Sequence, residues 1–356
     1  MWPRADLLEL LGIEHPIIQA PMADSTTPAL AAEVSNAGGL GSLGCGEMTL
    51  DDLKTKTDEL RGGTNRPFNL NFFAHKAPRA NPEVDALTRR RVAPFYEELG
   101  LGEVPQAAEA PFDTFNSGTL SVLLEIKPAV ASFHFGLPAP DMVGALKDAG
   151  CRLLCSATTV EEAKALAAAG VDAIIAQGWE AGGHRGTFDV SFEDFGVGTM
   201  ALVPQVVDAV DVPVIAAGGI ADGRGVAAAF ALGASGVQMG TAFLSCPEAQ
   251  ISDSHRDALR HASDRDTRLT RAFSGRPARA KNNRYIDAMA EHRAPVPAFP
   301  RMYGFSEPLR AQSAANQTTD FQFLLYGQAA ALNRELPAAE LVRTLVAEAQ
   351  EVFGAR

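Results

Sequence analysis

Four times in this chain an alanine-rich stretch runs into a glycine and then into an apolar run. The pattern reads Pro28–Ala37, Gly38, Leu40–Leu43; then Asp141–Ala149, Gly150, Cys151–Cys155. It returns as Thr159–Ala169, Gly170, Val171–Ala176, and as Asp222–Leu232, Gly233, Ser235–Met239. Glycine enters the left-handed conformation at no steric cost, so each of these glycines stops a helix. Helices that stop and feed apolar strands, over and over, imply parallel strands joined by helical crossovers. The candidate strands number eight: Pro16–Ala20, Leu40–Leu43, Phe68–Phe72, Ala129–His134, Cys151–Ser156, Asp172–Gln177, Pro213–Ala217 and Gly236–Met239. Several are apolar almost throughout, as strands buried on both faces are. The expected fold is α/β, a (β/α)8 TIM barrel.

Two stretches interrupt the rhythm. Residues 76–116 separate the third strand from its helix, hold several prolines and carry Thr88-Arg89-Arg90-Arg91; they read as a surface excursion. Residues 246–317 are polar and basic in places, and read as a smaller, mostly helical subdomain packed over the barrel mouth. Residues 318–356 read as helices packing on the barrel, with Pro337 dividing two of them. The expected division is therefore a barrel over 1–245 with an insertion at about 76–116, a substrate-access subdomain over 246–317, and carboxy-terminal helices over 318–356.

Composition limits the partners. The chain has 356 residues, 46% of them hydrophobic, and a formal net charge of -12. That apolar content supports a large core, and the charge argues against a nucleic-acid or anionic-membrane partner. No apolar run resembles a signal peptide or spans a bilayer, so the expectation is a cytoplasmic protein, monomer or homodimer. Cys45, Cys151, Cys155 and Cys246 are too few for a disulfide scaffold and read as core packing. No His/Asp/Glu cluster has metal-ligand spacing, so no metal is expected.

The polar residues fall where the strands end. Ala20-Pro21-Met22 ends the first strand, Asn71 the third and His134 the fourth. Gln177 ends the sixth and opens Gly178-Trp179-Glu180-Ala181-Gly182-Gly183-His184-Arg185-Gly186, a glycine-dense loop with one imidazole. Gly218-Gly219 ends the seventh strand and Gln238-Met239-Gly240-Thr241 the eighth. In a barrel all of these share the carboxyl-terminal face, where catalytic sites are built. Bare backbone N–H groups after the seventh and eighth strands suit a phosphate. Gly39-Leu40-Gly41-Ser42-Leu43-Gly44 matches G-x-G-x-x-G, but a helix precedes it and the motif contains the strand. It therefore reads as close helix–strand packing, not as a dinucleotide fingerprint.

At these residues the chain resembles the nitronate monooxygenase family, also called 2-nitropropane dioxygenases. The markers are Gln19-Ala20-Pro21-Met22, Ser132-Phe133-His134-Phe135-Gly136, Gln177 to Gly186, Ala217-Gly218-Gly219-Ile220 and Gln238-Met239-Gly240-Thr241. The similarity covers most of Leu8–Phe243 and extends more weakly over the carboxy-terminal helices. It implies FMN in the barrel, with the phosphate on Gly218, Gly219, Gly240 and Thr241. Pro21 and Met22 would back the ring, while Asn71 and Gln177 would bond its polar edge or the ribityl chain. Ala20, Gly182, Gly183, Gln238 and Met239 would complete the cofactor site. His184 matches the family's active-site histidine, and His134 would be a second polar group in the pocket.

The implied reaction oxidises an alkyl nitronate, such as propionate 3-nitronate, with O2 to a carbonyl compound and nitrite. A neutral nitroalkane is a further possible substrate. Arg185 stands where a related NADH:quinone reductase branch has proline. FMN-dependent enoyl reductases also carry a Gly-Gly-His loop, so an NAD(P)H-dependent FMN reductase of quinones or an enoyl thioester is the alternative. A non-catalytic flavin-binding protein is a second alternative.

Overall fold

The computed structural model describes residues 2–189, 196–290 and 294–354. Its strands in chain order are β1 (Ile17–Gln19), β2 (Gly41–Gly44), β3 (Phe68–Phe73), β4 (Val130–His134), β5 (Arg152–Ala157) and β6 (Ala173–Gln177). There follow β7 (Gly183–His184), β8 (Val214–Ala217), β9 (Gly236–Met239), β10 (Thr267–Thr270) and β11 (Ala278–Lys281). Eight of them form one parallel sheet in the order β1-β9-β8-β6-β5-β4-β3-β2. A parallel bridge from Ile18 to Leu40 joins its two edges. The sheet is thus a (β/α)8 TIM barrel, as the alternation of elements predicts.

All four helix-ending glycines adopt the left-handed conformation, with φ of 90° at Gly38, 86° at Gly150, 87° at Gly170 and 93° at Gly233. In each case the residue after the glycine donates its N–H five residues back into the helix: Gly39 to Val34, Cys151 to Leu146, Val171 to Leu166, Ala234 to Ala229. This is the Schellman closure, and it turns the chain directly into the next strand. Gly41 is needed for a different reason. A Cβ there would lie 1.8 Å from the Ala31 carbonyl oxygen, so the glycine lets helix Pro28–Asn36 pack against β2.

Strand periodicity divides the core into two shells. Ile17, Ile174, Ala176 and Val237 face outward, into the layer between strands and helices. Ile18, Leu40, Val130, Leu154, Ile175 and Ile215 face inward, and Leu7 and Leu11 of helix Asp6–Leu11 close the same apolar plug from below. Two residues further along the strands, the inward positions become Ser132, Ser156, Gln177, Ala217 and Gln238. One more step on β4 reaches His134. The barrel is apolar at its base and polar at its carboxyl-terminal mouth.

Three regions differ from the sequence reading. Residues 76–116 are not only a surface excursion. Helix Pro82–Glu98 carries Val92 and Tyr96 into a second apolar core with Phe273, Tyr285, Phe305 and Phe321, because its apolar positions fall on one face. The segment after the barrel has helices Asp253–Arg260, Arg284–Ala290 and Tyr303–Ala315, but also the hairpin β10–β11. Residues 320–329 are not helical. Leu325 bridges Ala280 in antiparallel fashion and Leu324 accepts from the Lys281 N–H, so this aromatic-rich stretch extends the hairpin. Beyond it, helix Ala338–Gly354 packs on helices Pro28–Asn36 and Gly223–Ala231. Among the described residues no helix is long and apolar enough to cross a membrane. The four cysteines are buried and free, and burial pushes the Cys45 and Cys151 thiols up to about 12.

Candidate active site

The mouth of the barrel holds a cavity of about 810 Å³. Every candidate from the sequence lines it. Ala20, Pro21 and Met22 come from the end of β1, Asn71 from β3 and His134 from β4. Gln177, Gly182, Gly183 and His184 come from β6 and its loop, Gly218 and Gly219 from the end of β8, and Gln238, Met239, Gly240 and Thr241 from β9 and beyond.

The histidine loop is not a free loop. Gly183 and His184 form β7, which pairs antiparallel with β11 through Gly183–Arg279 and His184–Ala278. Gln177 latches it from the barrel side. Its Nε2 donates to the His184 carbonyl at 2.9 Å and its Oε1 accepts from the Gly186 N–H at 2.8 Å. Each end of this amide is thus engaged once by protein, and Gln177 keeps a second N–H and a second lone pair at the cavity wall. His134 is engaged too. Its Nε2 lies 3.1 Å from the His184 carbonyl oxygen, which can only accept, so Nε2 carries the hydrogen. Nδ1 then accepts from the Ser156 hydroxyl at 2.9 Å. Both contacts suit a neutral ring, and burial lowers His134 to about 4.

The His184 imidazole sits edge-on to Phe135, Phe299 and Phe323, and its Nε2 lies 2.9 Å from Ser274 Oγ. Burial first, then the neighbouring His134, Arg276 and Arg310, lower its pKa to about 3. His184 is therefore a neutral base or N–H donor near pH 7, not a cation. Arg185 points away from the cavity. It is buried, donates from Nη1 to the Gln177 and Gly178 carbonyls at 3.2 and 2.6 Å, and lies over the Trp179 ring. It fixes the loop from behind. His75 is buried against Phe112 and Phe299.

The glycines divide by task. Gly218 and Gly219 are left-handed, with φ of 102° and 74°. The Gly219 and Thr241 N–H groups have no acceptor among the described residues. Thr241 Oγ1 accepts from the Gly327 N–H at 2.9 Å, leaving its own hydrogen to donate. Gly182 serves the fold instead, because a Cβ there would lie 2.5 Å from Gly327 N and Tyr326 C. Glu180, in the same loop, caps helix Thr199–Val207 through the Thr199 N–H and hydroxyl.

Several atoms facing the cavity await partners. Among the described residues, Gln238 Oε1, His255 Nε2 and Tyr326 Oη, on residues that line the cavity, are buried without a hydrogen bond. Asn71 commits its Nδ2 to Ser132, leaving its oxygen as an acceptor. A cluster of Glu47, Tyr303, Glu307 and Arg310 lines one wall, with Arg310 on Glu307 at 2.6 Å. Burial and nearby Asp24 push the Glu47 carboxyl up to about 7. Sequence reasoning did not single out Ser156, Ser274 or this cluster. Ser156 was findable, since it stands two residues above inward-facing Leu154 on β5. Ser274 and the helix Tyr303–Ala315 carry no local pattern that ties them to a strand end.

Comparison with known proteins agrees with this geometry. The sequence model of the nitronate monooxygenase family matches residues 4–348. A nitronate monooxygenase of Paraburkholderia phytofirmans is 48% identical over 97% of this chain and 95% of its own. One from Pseudomonas aeruginosa is 47% identical over 95% of this chain and 97% of its own. Among solved structures, the nitroalkane oxidase of Streptomyces ansochromogenes superposes with a TM-score of 0.89 at 41% identity, covering 98% of this chain and 99% of the other.

Proposed function

This chain belongs to the nitronate monooxygenase family, and on that premise we propose that it binds FMN and uses O2 to convert alkyl nitronates to a carbonyl compound and nitrite. Membership makes it an oxidoreductase that acts on nitronates. The observation that carries the finer reading is the convergence of polar strand ends and His184 on one cavity of about 810 Å³, within the range of cofactor sites.

The residues fit a phosphorylated flavin. The unpaired N–H groups of Gly219 and Thr241, with Gly218, Gly240 and the Thr241 hydroxyl, would hold the phosphate. Ala20, Pro21 and Met22 would back the ring, with Met239 and Gly183 beside them. The orphaned Gln238 Oε1 and the Asn71 oxygen would accept its N–H and hydroxyl hydrogens. Gln177 and Gly182 act through the loop they hold. Bound FMN supplies the electron transfer between nitronate and O2.

The chain's own part is placement and exclusion of water. His184 faces the substrate, oriented by β7, Gln177 and His134. Phe135, Phe299 and Phe323 surround it with apolar surface, which strengthens every polar contact inside. The barrel strands of residues 1–245 would hold the cofactor, residues 246–317 together with Phe323 would shape substrate access, and helix Ala338–Gly354 braces the barrel from outside.

The test is spectroscopic. The purified protein should be yellow, and anaerobic addition of propionate 3-nitronate should change its flavin absorbance. With air present, nitrite should appear. A flavin unmoved by nitronate, with no nitrite formed, refutes the assignment. Bleaching by NADH without nitrite release would fit a reductase of quinones or enoyl thioesters instead.

A further inference from the structure

Ser274 is fully buried and lies outside the barrel, between β10 and β11. Its Oγ is 2.9 Å from His184 Nε2 and 3.1 Å from the Arg276 carbonyl oxygen, and it accepts from the Arg276 N–H at 3.3 Å. The hydroxyl has a single hydrogen. A carbonyl can only accept, whereas an imidazole can supply a hydrogen of its own. With the hydroxyl hydrogen on Arg276 and an Nε2–H on Ser274, every contact is a hydrogen bond. Turned toward His184 instead, the hydroxyl would leave two oxygens facing each other at 3.1 Å with no hydrogen between them.

The neutral imidazole has one N–H, so placing it on Nε2 puts the lone pair on Nδ1. Nδ1 has no hydrogen-bond partner among the described residues, and the ring lines the cavity. Ser274 cannot drift to follow a displaced ring. The Tyr285 hydroxyl donates to the Ala272 carbonyl at 3.2 Å and the Ser306 hydroxyl to the Phe273 carbonyl at 2.6 Å. Gly275 is left-handed, and the place of a Cβ on it is taken by the Pro297 carbonyl oxygen, 2.1 Å away.

We propose that Ser274 is a positioning residue that holds His184 in its Nε2–H tautomer, so that Nδ1 faces the cavity as a base for the α-proton of neutral nitroalkanes. This rests on the reading of the site as one for nitronate oxidation and adds the residue that sets the tautomer of its histidine. The step balances within the pair. The proton leaves the α-carbon for Nδ1, and the C–H electrons become the C=N bond of the nitronate. Negative charge settles on the nitro oxygens beside the new imidazolium, whose Nε2–H stays on Ser274. No oxidant enters until the nitronate has formed.

Two measurements test it. The first compares kcat/KM for nitroethane with that for preformed ethyl nitronate, both in air, in the holoenzyme. Ser274→Ala should lower the nitroethane-to-nitronate ratio at least tenfold, and Ser274→Thr, which keeps the hydroxyl, should restore it. Dideuteration of the nitroethane α-carbon should slow the wild-type reaction. An unchanged ratio in Ser274→Ala overturns the proposal. So does a wild type that releases nitrite from the nitronate but not from nitroethane, while the proposed function survives. Failure with both substrates would overturn that function as well. The second measurement does not depend on the variant folding. Long-range proton–nitrogen spectra of ¹⁵N-histidine-labelled protein, with the His184 signals identified by His184→Asn, should show Nε2 protonated. An Nδ1–H tautomer overturns the proposal.

Discussion

The His184 imidazole is wrapped by three aromatic rings and lines the cavity. Its depressed pKa means it acts uncharged. Replacing it with asparagine removes the base but not the loop, whose register depends on the residue's backbone. His184→Asn should therefore lower kcat with nitroethane by about 10²-fold or more while the flavin-to-protein ratio stays at the wild-type value. Loss of flavin would mark the residue as part of the cofactor's binding instead. Arg185 supports a contrasting expectation. It holds the Gln177 and Gly178 carbonyls from outside the cavity, so Arg185→Leu should lower stability by roughly 1–3 kcal/mol through unsatisfied buried acceptors. Substrate preference, read as the same nitroethane-to-nitronate ratio, should not move. The Arg185 side chain bears on the shape of the loop, through the Gln177 and Gly178 carbonyls and the Trp179 ring.

At the level of elements, the helix–glycine–strand unit is the stable currency of this fold. Gly41→Ala would drive a Cβ into the Ala31 backbone and should cost at least about 1–3 kcal/mol, seen as a lower thermal midpoint. Gly144 lies inside helix Pro140–Asp148 with nothing within 4 Å of a Cβ, so Gly144→Ala should stabilise by about 0.5–1 kcal/mol. Equal effects from the two changes would contradict the packing account. These units were legible in advance because their signals are local: a glycine at a helix end, an apolar run after it. The site candidates were legible for the same reason, since each sits at a strand end. The partners of those candidates were not. Ser274 is 90 residues from His184, and nothing near it in sequence announces the contact. Residues 320–329 read as helix from their local sequence, while pairing with β11 decides their conformation. Helix Pro82–Glu98 looked like surface because its partners, Phe273, Tyr285 and Phe305, lie far along the chain.

Across the whole molecule, buried histidines govern the acid response. Burial lowers His75, His134 and His255 to about 4 and His184 to about 3, against 6.5 for an unfolded chain. Between these values the unfolded state binds more protons, so stability falls as pH drops below about 6.5, by up to about 1.4 kcal/mol per unit for each group. Glu47, raised to about 7, has the opposite sign, but one carboxyl does not outweigh four imidazoles. The thermal midpoint should fall from pH 7 to pH 5, and His75→Phe should flatten that slope; a midpoint that holds or rises would refute the account. The pairing of β7 with β11 has a consequence in time. The barrel's last strand ends at Met239, yet the register of His184 is written by residues 278 and 279. During synthesis all eight barrel strands emerge before the chain that aligns the His184 imidazole. The barrel is thus complete before the hairpin that sets its histidine, so a half-made chain holds the cavity's walls without the register of the imidazole that lines them.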